Sequence, residues 1–147
     1  MGITLKGYNI SEDVTTSGFF RLRRDISMML SCDIGRYYDE MITALRASDD
    51  VKKILEKNIN RAVNDYLAAQ NKSMERVIDF LFAPDTNGRI TYGTCRLLID
   101  IINNNDRETF DNTLYGYAGW GDKACRGRNI YNILKSCSNN KKPMIWY

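Results

Sequence analysis

Apolar side chains spaced three and four apart, capping residues just ahead of those runs, and short connections between them predict an all-α fold. The expected form is a compact bundle of about five to six helices, with a short extended N-terminal arm and a glycine-rich loop before the last helix. A chain of 147 residues, 44% of them hydrophobic, is of the size that closes one core, so residues 1–147 read as a single helical domain.

The arm holds Ile3, Leu5, Tyr8 and Ile10 around Gly2, Lys6 and Gly7, a broken alternation that reads as extended. From Ser17 the spacing changes. Phe19, Leu22, Ile26, Met29, Leu30, Ile34, Tyr37, Tyr38, Met41 and Leu45 keep one face apolar, which predicts a single long helix capped by Thr16 or Ser17. Gly35 lies inside it and is the expected place for a kink or a split.

Ser48, Asp49 and Asp50 stop that helix and cap a second, with Val51, Ile54, Leu55, Ile59, Ala62, Val63, Tyr66 and Leu67 as its stripe. Its other face, carrying Lys52, Lys53, Glu56, Lys57, Asn60, Arg61 and Asn64, reads as solvated surface. Ser73 is placed to cap a shorter helix through Phe82, and Pro84 to Gly88 form a loop. A fourth helix runs from about Thr91 to the asparagines at 103–105, and Phe110, Leu114 and Tyr117 suggest one or two further turns. The last helix spans about residues 128–138. Beyond it, Trp146 is expected to dock on the bundle or on a second subunit, which leaves a homo-oligomer open.

Composition excludes much chemistry. Histidine is absent, which removes the usual neutral-pH base, the commonest metal ligand and every histidine-containing triad. Cys32, Cys95, Cys125 and Cys137 form no local pairs of the kind a zinc site uses, and they fit reduced thiols in a cytoplasm. Cys125 has arginines nearby but no identifiable base, so the chain reads as not an enzyme, with no cofactor. A formal charge of +3 is too small for a general nucleic-acid binder. Charged residues interrupt every apolar run, so no membrane span is expected.

Three segments carry candidate sites. Residues 114–128 combine Tyr115, Tyr117 and Trp120 with glycines and with Lys123, Arg126 and Arg128 just ahead of a helix. Rings that stack on a base, cations that fork onto phosphate and backbone freed by glycine together suit a nucleotide or phosphate ligand. The alternative is a folded loop whose rings plug the bundle. Arg21, Arg23 and Arg24, beside aromatic residues on the first helix, are the candidate protein interface. Residues 83–94 resemble the calcium loop of EF-hands: Gly88 falls at the turn, where it supplies a positive φ, and Asp85 and Asn87 fall at ligand positions. Ala83 and Thr94 stand where that loop needs acidic ligands, so no metal is expected, with Asp85 and Asn87 as weak candidates in a degenerate EF-hand-like or structural module. Asn87, Gly88, Arg89 and Ile90 also resemble the short signature of viral and cellular BCL-2 homologues, a minor alternative.

The C-terminal half carries Phe80-Leu81-Phe82, Asp85, Gly88-Arg89-Ile90, Cys95, Tyr115-Gly116-Tyr117-Ala118-Gly119, Leu134-Lys135, Cys137 and Ile145-Trp146-Tyr147. This pattern, within residues 75–147, resembles small uncharacterised bacteriophage and prophage accessory proteins. The resemblance implies a non-enzymatic protein that inhibits a host antiviral defence component in the host-cell cytoplasm. It would act by sequestering a nucleotide signal or by occluding a protein effector. No site residue carries over from it.

Overall fold

The extended arm expected at the start of the chain is half of a β-hairpin, and the fold is mixed α/β rather than all-α. The structure is a computed structural model that describes residues 2–44, 47–69, 72–116 and 125–147. Among these it contains seven α-helices and a four-stranded antiparallel sheet. Strand β1 (Gly2–Lys6) points Ile3 and Leu5 inward and exposes Gly2 and Lys6, the alternation of a half-buried strand. A tight turn, closed by Gly7 N–H to Ile10 O at 2.8 Å with Asn9 at φ 58°, returns the chain into β2 (Ser11–Thr15).

Thr15 ends β2 and caps helix α1 (Thr16–Leu30), its hydroxyl accepting the Gly18 amide at 2.8 Å. Phe19, Leu22 and Ile26 are buried on α1 as the periodicity requires. The long helix is split, but at Ser31 and not at Gly35. Ser31 is fully extended (φ −160°, ψ 128°), and its hydroxyl accepts the Ile34 amide to cap α2 (Cys32–Thr43). Leu45, expected at the end of this helix, lies outside the described residues.

Helix α3 (Asp49–Ala69) is the longest helix among the described residues, yet Ile59 is its one buried side chain. It meets the core through half-buried Ala62, Val63, Tyr66 and Leu67. A 3₁₀ turn at Lys72–Met74 takes up the serine expected as a cap, and α4 (Glu75–Phe82) follows without a side-chain cap. Strand β3 (Gly88–Ile90) leads into α5 (Tyr92–Asn103), capped by Thr91. Asp106 caps the short α6 (Arg107–Asn112), and α7 (Gly127–Asn140) ends on Lys141 in the left-handed conformation.

The tail expected to dock does so as strand β4 (Met144–Trp146). It lies between β1 and β3, so the sheet order is β2-β1-β4-β3. Leu5 and Gly88 flank Trp146 on either side in register. Trp146 is 1% exposed and lies edge-on to Phe19 and Phe80, at centroid distances of 5.7 and 5.6 Å. Arg23, also 1% exposed, completes the cluster: its guanidinium sits 4.0 Å over the Phe19 ring and donates to Ala83 O at 2.7 Å and Pro84 O at 3.3 Å.

Gly88 is a glycine for a steric reason. A Cβ there would lie 1.8 Å from Trp146 Cζ2, inside the indole. Gly93, in the first turn of α5, has room for a Cβ, which would make ordinary contacts with Arg76 Nη1 at 3.5 Å and Thr91 Oγ1 at 3.8 Å. Gly88→Ala is therefore expected to cost roughly 1–3 kcal/mol by overpacking. Gly93→Ala is expected to be neutral or to stabilise by up to about 1 kcal/mol, since alanine loses less entropy in a helix. Urea unfolding of the two variants checks the contrast.

Candidate functional site

The neck of the glycine-rich loop is a small antiparallel clasp. Tyr115 N–H donates to Cys125 O at 2.8 Å, Gly127 N–H donates to Thr113 O at 2.9 Å, and Leu114 and Arg126 form the bridge between them. Tyr117, Trp120 and Lys123 fall outside the described residues. Of the rest of that candidate set, Arg126 and Arg128 are exposed at the start of α7, and Tyr115 is fully buried. Tyr115 cannot stack on a base: its ring packs on Phe110 and its hydroxyl donates to Asp25 Oδ2 on α1 at 2.7 Å. It is the plug that the alternative reading of this loop describes.

The three arginines proposed as an interface are dispersed. Arg21 is exposed, Arg24 is partly exposed and pairs with Asp25 and Asp39 at 3.5 Å each, and Arg23 is in the core. Arg23 lies outside any interface because its partners are the Ala83 and Pro84 carbonyls and the rings of Phe19, Phe80 and Trp146. Burial lowers its pKa, and the Tyr38 hydroxyl and the Asp85 carboxylate work against that shift. Asp85 thus serves as a counter-charge to Arg23.

In the EF-hand-like loop the positive φ belongs to Asn87 (53°) and not to Gly88, which instead begins β3 and makes room for Trp146. Among the described residues no three acidic or cysteine side chains converge as a metal site would need. The segment resembling the BCL-2 signature is likewise strand from Gly88 to Ile90. Cys125, weighed as a nucleophile, is buried, and burial pushes its thiol up to about 12.

Residues that the sequence analysis did not bring together form a cleft of about 390 Å³ between α4, β3 and the start of α5, and two of them, Arg76 and Asp79, carried no sequence signal. Its floor is Phe80, Ala83, Ile90 and Trp146, and its rim is Arg76, Asp79, Arg89, Thr91 and Thr94. Phe80, Ala83 and Trp146 are also the residues that hold Arg23, so the floor is part of the core. Arg76 and Arg89 are exposed, and among the described residues neither has a carboxylate within 4 Å. Arg76 lies over the first turn of α5, 3.5 Å from the position a Gly93 Cβ would occupy. Thr91 caps that helix by accepting the Thr94 amide at 3.4 Å, while the Tyr92 and Gly93 amides are the open donors of the first turn. Two guanidinium groups beside a helix N-terminus outweigh the one carboxylate of the rim, Asp79, and leave it net positive above an apolar floor.

The chain matches no protein-family model, no curated protein and no solved structure. No helix among the described residues is long and apolar enough to cross a membrane.

Burial raises the pKa of both Tyr115, from an ordinary 10.0, and Cys125, from an ordinary 9.0 to about 12. For Tyr115 the hydrogen bond to ionised Asp25 adds to that effect. The folded protein therefore keeps these protons at pH values where the unfolded chain has released them. Stability should be intact below about pH 9 and fall as pH rises beyond it, by at most about 1.4 kcal/mol per pH unit for each group. Tyr115→Phe should lower stability at neutral pH by about 1–2 kcal/mol and flatten the decline above pH 10. Urea midpoints measured between pH 7 and 11 read both effects.

Proposed function

We propose that the protein is a non-enzymatic binding protein of phage type, acting in the host-cell cytoplasm, that sequesters a nucleotide signal of host defence. The observation that carries the reading is the α4–α5 cleft. Arg76 and Arg89 stand without acidic partners among the described residues, beside the N-terminus of α5 and above a floor containing Phe80 and Trp146. A phosphate group would accept from both guanidinium forks and from the first amides of α5, and its nucleoside would lie along the apolar floor. A volume near 390 Å³ suits one nucleotide, at the lower end of small-molecule sites. The reading keeps the ligand class suggested by the glycine-rich loop and moves the site to cations that border a cleft with an apolar floor.

Calorimetry against linear and cyclic nucleotides and inorganic phosphate tests it. At least one nucleotide should bind, and the Arg76→Glu/Arg89→Glu pair should weaken it at least 10-fold, since charge-assisted hydrogen bonds contribute roughly 1.5–3 kcal/mol each. Arg126→Glu/Arg128→Glu should leave the affinity unchanged. Silence across the panel, or loss only in the second pair, would remove the assignment to this cleft.

Occlusion of a protein effector is the second reading, and a different observation favours it. Val51 and Ile54 at the start of α3 are 44% and 61% exposed on a helix with one buried side chain. Apolar side chains displayed on a long helix face suit a protein partner. Under this reading Ile54→Asp keeps the fold and releases a host protein that co-purifies with the unaltered chain, as shown by mass spectrometry of the two eluates. The same protein in both would count against it.

A further inference from the structure

Hydrogen bonding alternates along an antiparallel strand pair, so the register of the sheet shows which way each backbone group points. Thr4 and Tyr147 exchange bonds in both directions, Thr4 N–H to Tyr147 O at 2.9 Å and Tyr147 N–H to Thr4 O at 3.2 Å. Ile145, two residues back along β4 and opposite Lys6, therefore also turns its N–H and C=O toward β1, while Met144 and Trp146 turn theirs toward β3. There Gly88 faces Trp146 and Ile90 faces Met144, so these two residues take up the ladder bonds of β3. Arg89, between them, points its N–H and C=O the other way. β3 ends the sheet order, and among the described residues no other element bonds either group.

The α4–α5 cleft runs along this open edge. Side chains alternate between the faces of a strand, so Arg89 leaves the sheet on the side opposite Ile90, which is buried with Trp146 on the core face. Arg89, Ile90 and Trp146 all line the cleft, and a space that touches both faces of a strand lies at its edge. The Trp146 ring belongs to the neighbouring strand but reaches the edge beneath Gly88, which has no side chain to block it.

We infer that the main chain of Arg89 reads the base of a nucleotide held in this cleft, an inference that rests on the nucleotide reading above. The Arg89 N–H donates to an acceptor of the base, and the Arg89 C=O accepts from the N–H beside it. Each common base carries such an adjacent donor and acceptor on its pairing edge. The face of the base then lies toward Phe80 and Trp146, and the Arg76 and Arg89 guanidinium groups take the phosphate. A peptide strand is the other ligand that suits an open edge. β3 has three residues and one outward pair of groups, which would give a peptide only two main-chain bonds, whereas a base edge needs no more than two. Recognition of this kind requires of residue 89 only that its N–H be present. Proline removes that N–H and is tolerated at an outward position of an edge strand.

Calorimetry on the full chain supplies the test. The probes are adenosine, guanosine, cytidine and uridine nucleotides, linear and cyclic, each beside the analogue methylated on the pairing edge of its base, with ribose phosphate as the control that has no base. A nucleotide that binds should lose at least about 3-fold in affinity on methylation, as loss of one hydrogen bond requires. Arg89→Pro, which removes the N–H together with the guanidinium, should bind it roughly 3–10-fold more weakly than Arg89→Ala, which removes the guanidinium alone. The two variants should melt within about 5 °C of each other. Nucleotide binding that is indifferent to methylation, or equal in Arg89→Pro and Arg89→Ala, would overturn the inference and leave the nucleotide reading standing. Silence of every nucleotide would remove both, and capture of a glutamate pentapeptide in their place would assign the edge to strand addition. If Arg89→Pro does not fold, the methylated analogues on the unaltered chain decide the question.

Discussion

One charged side chain at the centre of the molecule organises everything around it. Arg23 is a permanent cation with almost no access to water, a placement that costs several kcal/mol unless its surroundings compensate. Compensation comes from three stretches of chain, the Phe19 ring of α1, the Phe80 ring of α4 with the Ala83 and Pro84 carbonyls that follow it, and the Trp146 ring of β4, with the Tyr38 hydroxyl and the Asp85 carboxylate also favouring the cation. The indole N–H of Trp146 donates to the same Pro84 carbonyl at 3.0 Å. A backbone oxygen in a loop thus takes a guanidinium and an indole together. The guanidinium Nε has no acceptor, so the solution is incomplete and depends on the rings being where they are.

That cluster also shapes the cleft. Phe80, Ala83 and Trp146 serve as floor on the cleft and as partners of Arg23, so the floor is as rigid as the core while the rim cations, Arg76 and Arg89, extend from its edges. A recognition surface made of long side chains over a fixed base is preorganised in its shape and adaptable in its contacts. The glycine-rich segment divides the same way: its neck is fixed through Tyr115 and Asp25, and its cations at 126 and 128 are solvated.

The helices were legible because their cores repeat over several turns. Phe19, Leu22 and Ile26 on α1, Cys95, Leu98 and Ile102 on α5, and Ile130, Ile133, Leu134 and Cys137 on α7 are buried as their spacing demands. The sheet was not legible, because strands of three residues, such as Gly-Arg-Ile and Met-Ile-Trp, cannot display an alternation. Nor does the sequence of β2, Ser-Glu-Asp-Val-Thr, look like a strand: only its last two residues are buried. The break at Ser31 did have a signal, a serine followed two residues later by Asp33 in the first turn, but the unbroken apolar stripe across it suggested continuity. The cleft was hidden for another reason. Arg76 and Arg89 stand on different elements, α4 and β3, and border one cleft only because β3 and α5 pack beside α4. Thr91 capping a helix just after Arg89 was its one local trace.

The sheet order has a kinetic consequence. The central pair joins Leu5 with Trp146 and Lys6 with Ile145, so nearly the whole chain must be closed into a loop before those hydrogen bonds can form. Helix pairs such as α1 with α2 and α5 with α7 need no such closure and can collapse early. Arg23 belongs to the first group, while the tryptophan that shields it arrives with the last strand. Until β4 pairs, the Arg23 guanidinium lacks its Trp146 cover, so closure of that long loop sets how soon the core can seal.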